Sequence, residues 1–340
     1  MSTIIIMNSN SNNDNEIIDN SNHLSSLVYD VGSRLAGEQV AISSTMNSSQ
    51  DAPNEEDDAI KTMKLYTHVE RIQREVESRF GSASSIIDPI ALSEVDCMHY
   101  EGNDAIEDVI RAIQLNSSSK VLDVGSGFGG VARVLSAQSK CTTIAMELQP
   151  DIHDCGEDLT KRCDISDLVK HVHGDILNYD LNKLGDGPSS FDGLVSFLVF
   201  LHIPDKLSLL KNCANMLKTD GTLFVEDYYR RSSFTEAELK SLSTDVFCKD
   251  LPTREEYIAA LETAGFDNIQ FIDKTKAWTT FVTGRLATFE RNKEAFISSH
   301  GEPTYTSLHY FYKSVVTLFV GGNLGGVRII ASKKDSLNKI

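Results

Sequence analysis

The stretch Asp123-Val124-Gly125-Ser126-Gly127-Phe128-Gly129-Gly130 decides the reading of this chain. It follows a short apolar run at 121–124 and precedes a helical pattern over about 131–137. Strand, glycine turn and helix in that order make a ligand-binding unit. Glycine lets the backbone take positive φ and approach a ligand with no Cβ in the way. The helix that follows presents its N-terminus to the same point. The spacing fits two patterns equally. Gly125, Gly127 and Gly130 satisfy the Gly-x-Gly-x-x-Gly fingerprint of dinucleotide sites. Asp123 to Gly129 equally satisfies Asp-x-Gly-x-Gly-x-Gly, so the turn alone indicates a nucleoside but not which one.

Working outward, Ala105, Ile106, Val109, Ile110 and Ile113 mark one apolar helical face upstream of the turn. Downstream, strands are predicted at 142–146, up to about 175, at 191–197 and at 221–226, with a helix near 205–217 before the last. Strands that alternate with helices mean a mostly parallel sheet covered on both faces. Thr253, with Glu255 and Glu256 behind it, opens a further helix that Gly265 stops. A strand at 269–272, helices over about 277–296 and 305–320, and a last strand at 327–332 complete the pattern. The first 58 residues are rich in Asn, Ser and Asp and nearly empty of aromatics. Such a stretch buries too little apolar surface to offset its ordering entropy, so a disordered tail is expected. Met63, Val69, Ile72 and Val76 then recur at helical spacing.

Composition excludes more than it selects. Of 340 residues, 49 are acidic and 32 basic, a formal net charge of −17 that argues against a nucleic-acid partner. No apolar run approaches the roughly 18 residues that span a bilayer. The opening seven residues lack the basic flank of a secretory signal. A cytoplasmic protein with no membrane partner is therefore expected. The six cysteines form no Cys-x-x-Cys pair and no zinc-like spacing with histidine, so no metal is expected. His171 and His173 share a strand face without a third ligand in view.

Three features separate the two nucleoside patterns. Asp123 stands two residues before the first glycine, where a carboxylate reaches an ammonium group and adds nothing to a pyrophosphate. Glu147, followed by Leu148, ends the next strand and suits ribose hydroxyls. Gly174-Asp175-Ile176 follows the third strand, where an acid can take an adenine amino group while Ile176 packs the ring. Together these resemble the class I S-adenosylmethionine-dependent methyltransferases, over roughly residues 100–335. The resemblance implies a Rossmann-like, doubly wound, mostly parallel seven-stranded α/β sheet with helices on both faces. It implies an N-terminal helical lid over 59–102 and a methyltransferase domain over 103–335, with a helical insertion around 277–323. It also implies S-adenosyl-L-methionine as cofactor, held by Asp123, Gly125, Ser126, Gly127, Gly129, Glu147, Leu148, Asp175, Ile176 and Phe197. Leu201-His202-Ile203-Pro204-Asp205-Lys206 and Val225-Glu226-Asp227-Tyr228-Tyr229-Arg230 are similar to the phosphoethanolamine and sarcosine/dimethylglycine N-methyltransferase type.

Methyl transfer needs an aligned nucleophile, exclusion of water and, for an ammonium substrate, loss of a proton. His202 lies at the carboxyl edge of the sheet, where ligands of open α/β folds bind. The resemblance makes it catalytic, partnered by a tyrosine from the N-terminal region, either Tyr100 or Tyr66. The bland alternative is a histidine that caps the following helix. Tyr228, Tyr229 and Trp278 offer an aromatic wall for a cationic substrate. Two positions depart from the family: Leu198 replaces an aspartate that holds the amine, and Phe197 replaces an arginine. Residues 244–250 also lack the Arg and Tyr that bind a substrate phosphate. The expected acceptor is thus a small amine or amino acid of the glycine, sarcosine or dimethylglycine kind. Sulfur or oxygen methylation of another metabolite, and an NAD(P)-dependent oxidoreductase, are the alternatives.

Overall fold

The computed structural model describes residues 69–81 and 85–335. The tail 1–58 and Tyr66 lie outside the described residues. Seven strands are described: β1 Lys120–Val124, β2 Thr142–Glu147, β3 Val169–His173, β4 Phe191–Phe197, β5 Leu217–Arg230, β6 Phe266–Asp273 and β7 Leu324–Lys333. They form one sheet in the order β3-β2-β1-β4-β5-β7-β6. The first five pair in parallel, and β7 runs antiparallel to both β5 and β6. The order reverses between β1 and β4, which opens a crevice at their carboxyl ends.

Alternating side chains send each strand's residues to opposite faces. Leu122, Val124, Leu194, Leu223 and Val225 point to one face and pack on helices α6 (Lys206–Met216) and α8 (Arg254–Ala264). Val121, Val195 and Phe224 point to the other and pack on α3 (Gly102–Ile113) and α4 (Gly130–Ser139). Before these helices come α1 (Val69–Phe80) and α2 (Pro89–Asp96), which join α5 (Pro150–Arg162) in a separate apolar cluster around Ile72, Leu92 and Ile152. Over the carboxyl edge of β4 and β5 sits a further cluster, contributed by α7 (Glu236–Asp245), α9 (Thr275–Arg291) and α11 (Glu302–Gly321). Helix α10 (Lys293–His300) links the last two. Helices α9 to α11 all lie between β6 and β7.

Local chemistry fixes the helix ends. Thr235 with Glu238, and Thr253 with Glu256, form reciprocal capping boxes at α7 and α8. Gly265, at φ +98°, closes α8 in the left-handed conformation that glycine adopts without a Cβ penalty. The cap of α6 is Asp205, whose side chain accepts from Ser208 N at 3.0 Å. His202 is therefore not needed as a cap.

Candidate active site

The glycine turn is held by the neighbouring strand. The N–H groups of Gly125 and Ser126 both donate to the Met146 carbonyl at 2.9 Å, and Gly129 N–H donates back to Ser126 O. Gly127 sits at φ +55°, and a Cβ built there would meet nothing within 4 Å, so this residue faces open space. Gly129, at φ +79°, has the opposite constraint, because a Cβ would press on the His171 ring. Glu147 braces the turn with both oxygens: Oε2 accepts from Gly127 N and Oε1 from Gln149 N, each at 2.9 Å. Leu148, half-buried beside it, accepts from His173 Nε2–H at 2.9 Å.

Asp123 lies beneath this turn, 2% exposed, with Oδ2 lacking any partner. Burial first, and the charge of Glu147 second, push its pKa up to about 8. The Ser126 hydroxyl is buried and equally without a partner. Two orphaned polar atoms at a glycine turn fit a ligand that carries a cation and hydrogen-bond donors. Further along the edge, Asp175 is half-buried, its Oδ1 accepting from Leu177 N at 2.9 Å. Ile176 is buried in the sheet core, where it packs with Leu184 and Leu209. Phe197 ends β4, and its ring lies tilted against that of His99 at 4.6 Å between centroids.

The turns after β1 and β4 touch. A Cβ at Gly125 would collide with the Val199 side chain, so the glycine turn and the loop bearing Leu198 and His202 share a wall. That loop leaves β4 with Leu198 in the left-handed region, φ +56°, its N–H donating to Glu226 O at 2.8 Å. Two more non-glycine residues in the left-handed region flank the same place: Glu101 at φ +62° and Phe247 at φ +52°. Such conformations cost about 1–3 kcal/mol each and gather where a side chain or carbonyl must be aimed. Phe247 aims its carbonyl at His202, whose Nδ1–H donates to it at 3.1 Å. That bond leaves Nε2 as the acceptor nitrogen. Burial lowers the His202 pKa to about 4, so the ring is neutral.

Tyr100 and His202 do not hydrogen-bond to each other. The Tyr100 hydroxyl meets that of Tyr228, and Trp278 stands edge-on to the Tyr100 ring at 4.9 Å. Leu198 and Leu201 pack into the same buried aromatic cluster. Tyr229 is not part of it. As the next residue in β5 it faces the opposite side, where its hydroxyl donates to Asp273 at 3.0 Å and its ring meets Phe271. Of the three residues expected to form one wall, Tyr228 and Trp278 come together, with Tyr100 beside them, and Tyr229 does not join them, because strand periodicity separates adjacent residues.

Two groups beside these residues are not marked out by the sequence reading. Asp227 receives Leu201 N–H on Oδ1 at 3.1 Å and the Tyr257 hydroxyl on Oδ2 at 3.2 Å, so it anchors the turn that carries His202. Burial raises its pKa to about 6, against the pull of the nearby Lys206 ammonium. A charged residue in the middle of an apolar strand was the available signal. The second is Arg285, whose guanidinium lies 5.1 Å from the Tyr100 ring centroid. Nothing local in the sequence marks it. Among the described residues no group of three or more His, Cys, Asp or Glu side chains is arranged to hold a metal ion.

Residues 98–271, just over half of the 340, match the family described as methyltransferase domain. The chain belongs to the methyltransferase domain family. Among its relatives are the phosphoethanolamine N-methyltransferases of Triticum aestivum, 24% identical over 61% of this chain and 39% of the relative, and of Plasmodium falciparum, 27% identical over 61% and 76%. The sarcosine/dimethylglycine N-methyltransferase of Halorhodospira halochloris is 27% identical over 48% and 56%. The match thus spans well under half of the wheat relative and about three quarters of the Plasmodium one. Among solved structures, Haemonchus contortus phosphoethanolamine N-methyltransferase 2, in complex with phosphomonomethylethanolamine and S-adenosylhomocysteine, superposes with a TM-score of 0.67. It is 20% identical over 84% of this chain and 61% of that one. A putative sarcosine dimethylglycine methyltransferase from Galdieria sulphuraria gives 0.62 at 16% identity, over 79% and 100%. These likenesses establish the fold of the methyltransferase domain.

Proposed function

We propose that this methyltransferase-domain protein moves a methyl group from S-adenosylmethionine to a nitrogen of a small amine or amino acid. The observation that carries this is the contact between Gly125 and Val199, which sets a nucleoside-type cradle against the loop whose Leu198 and Leu201 enter the aromatic cluster. S-adenosylmethionine supplies a sulfonium methyl, an electrophilic carbon whose bond to sulfur breaks as the acceptor's lone pair attacks. Asp123 and Ser126 meet the polar methionine end, Glu147 the ribose, and Asp175 the adenine edge. Phe197 and Leu198 close the passage to the chamber and keep water out. His202 then offers Nε2 to an N–H of the acceptor. A neutral imidazole with so low a pKa orients that N–H more than it removes its proton. The acceptor ammonium gives its proton to solvent before the site closes over it, and Tyr100 and Tyr228 fix the acceptor's remaining polar contacts.

The experiment is a transfer screen with radiolabelled S-adenosylmethionine against glycine, sarcosine, dimethylglycine, phosphoethanolamine and a set of thioethers and alcohols. Label on an amine supports the reading. Label only on sulfur or oxygen moves the acceptor atom. Calorimetry showing NADH or NADPH binding, with no response to S-adenosylhomocysteine, sinks the donor assignment.

A further inference from the structure

Helix α9 sends Trp278, Phe281, Val282 and Arg285 along one face, at the spacing that brings helical side chains into register. The first three pack into the aromatic chamber. The fourth ends an apolar stripe with a guanidinium. Its carbon lies 4.6 Å from the Tyr312 ring centroid, 5.1 Å from that of Tyr100 and 5.6 Å from that of Phe281. Its Nε–H is buried and has no partner. Among the described residues no carboxylate lies within ion-pair distance of it, whereas the buried guanidiniums of Arg133 and Arg328 face Asp96 and Glu226. The contrast is sharp in a chain with 49 acidic residues.

We infer that Arg285 is the residue that reads an anionic oxygen group on the acceptor, a carboxylate or a phosphate. This rests on the methyl-transfer reading and narrows its substrate class. A guanidinium presents paired N–H donors in a fork that matches two oxygens of one anion. Three aromatic rings flank the charge, the Tyr100 hydroxyl also accepts a hydrogen bond from it, and the buried Nε–H is left without a partner. The same arrangement bears on an alternative. Tyr100, Phe281 and Tyr312 already carry the protein's own cation, so an acceptor ammonium cannot occupy those ring faces as well. Arg285 therefore favours an anion at this end of the aromatic cluster and leaves the amine to the His202 end. Arg285 is a specificity-determining residue on this reading, and no position in 244–250 has to supply the charge.

Trp278 is the sole tryptophan of the 340 residues and touches the Tyr100 ring, so its emission reports on the chamber. The test titrates the full chain, saturated with S-adenosylhomocysteine, with glycine, sarcosine, dimethylglycine and phosphoethanolamine. Each is paired with its uncharged-end counterpart: glycinamide, the two N-methylated glycinamides and ethanolamine. The expected result is a saturable change with at least one oxyanion probe. Its affinity should fall about ten- to hundred-fold for the counterpart and in Arg285→Gln, with partial recovery in Arg285→Lys. The carboxylate and phosphate arms decide which anion is taken. Equal response to the counterparts, an unchanged affinity in Arg285→Gln, or no response to any oxyanion probe overturns the inference. Calorimetry with S-adenosylhomocysteine runs alongside. Equal binding in wild type and variant shows an intact fold, whereas absence of binding in both defeats the methyl-transfer reading itself.

Discussion

Asp123 is a carboxyl group kept in its protonated form by its surroundings. In the folded chain its pKa is about 8, against an ordinary 3.8. The folded state therefore holds a proton that the unfolded state releases, and stability falls as pH rises between those two values. Asp123→Asn cannot ionise, so the variant should melt higher than wild type at pH 8 and lose that advantage at about pH 4. The same change should weaken S-adenosylhomocysteine binding about ten-fold or more. Thermal melts at both pH values with calorimetry check this; a variant less stable than wild type at pH 8 would contradict it. His202 gives a second prediction. A ring with a pKa of about 4 contributes no titration to the rate between about pH 5.5 and 7.5. His202→Gln, which keeps a hydrogen-bonding tip, should retain most turnover while His202→Ala loses about a hundred-fold. A wild-type rate limb near pH 6.5 that vanishes in both variants would restore a general-base role.

At the scale of elements, the strand that ends at Arg230 shows why part of the site was not legible. Alternation predicted a strand only over 221–226, but β5 runs on to Arg230 because β7 pairs with it up to Leu324. The partner lies about a hundred residues away, and no local pattern announces it. Tyr228 and Tyr229 were read as one wall for the same reason: without the extended strand, their opposite directions are hidden. By contrast, the glycine turn, Glu147 and the Thr253 to Gly265 helix were legible because each depends on neighbours in sequence. Arg285 was invisible, since its meaning arises only when α9 folds against Tyr100. The pairing of β5 with β7 also explains two glycines. A Cβ at Gly325 would collide with the Tyr229 ring, and one at Gly326 with the Trp278 ring. Gly326→Ala should therefore cost about 1–3 kcal/mol in urea unfolding and shift the tryptophan emission. Gly325→Ala should cost a similar amount and leave the emission unchanged. A shifted emission in both would show that the two rings are not held independently.

For the molecule as a whole, the first described helix meets the helical segment between β6 and β7. Glu75 in α1 lies 3.2 Å from His300 Nε2 at the end of α10, and Arg79 donates to the same carboxylate at 2.9 Å. The His300 hydrogen bond is the largest cause that lowers the Glu75 pKa. Its stabilisation is present above the ordinary 4.5 and is lost as pH falls through the lowered value. A double-mutant cycle with Glu75→Ala and His300→Ala should give a coupling of about 1 kcal/mol at pH 6 that disappears in acid once the Glu75 carboxyl is protonated. Coupling that persists in acid would assign the contact to packing. No helix among the described residues is long and apolar enough to cross a membrane.

The place where α9 to α11 leave the sheet has a consequence for how such proteins diversify. Asp273 and Val327 stand opposite each other in register across β6 and β7, and Lys274 N–H donates to Gly326 O at 2.8 Å. Everything between them is, topologically, the loop of one hairpin. The segment that carries Trp278, Phe281 and Arg285 can be cut out and replaced at two points that already face each other, without re-threading a parallel strand. A chimaera that takes 275–323 from a relative should keep its affinity for the methyl donor and inherit the relative's choice of acceptor. New chemistry then requires a graft, not a new fold.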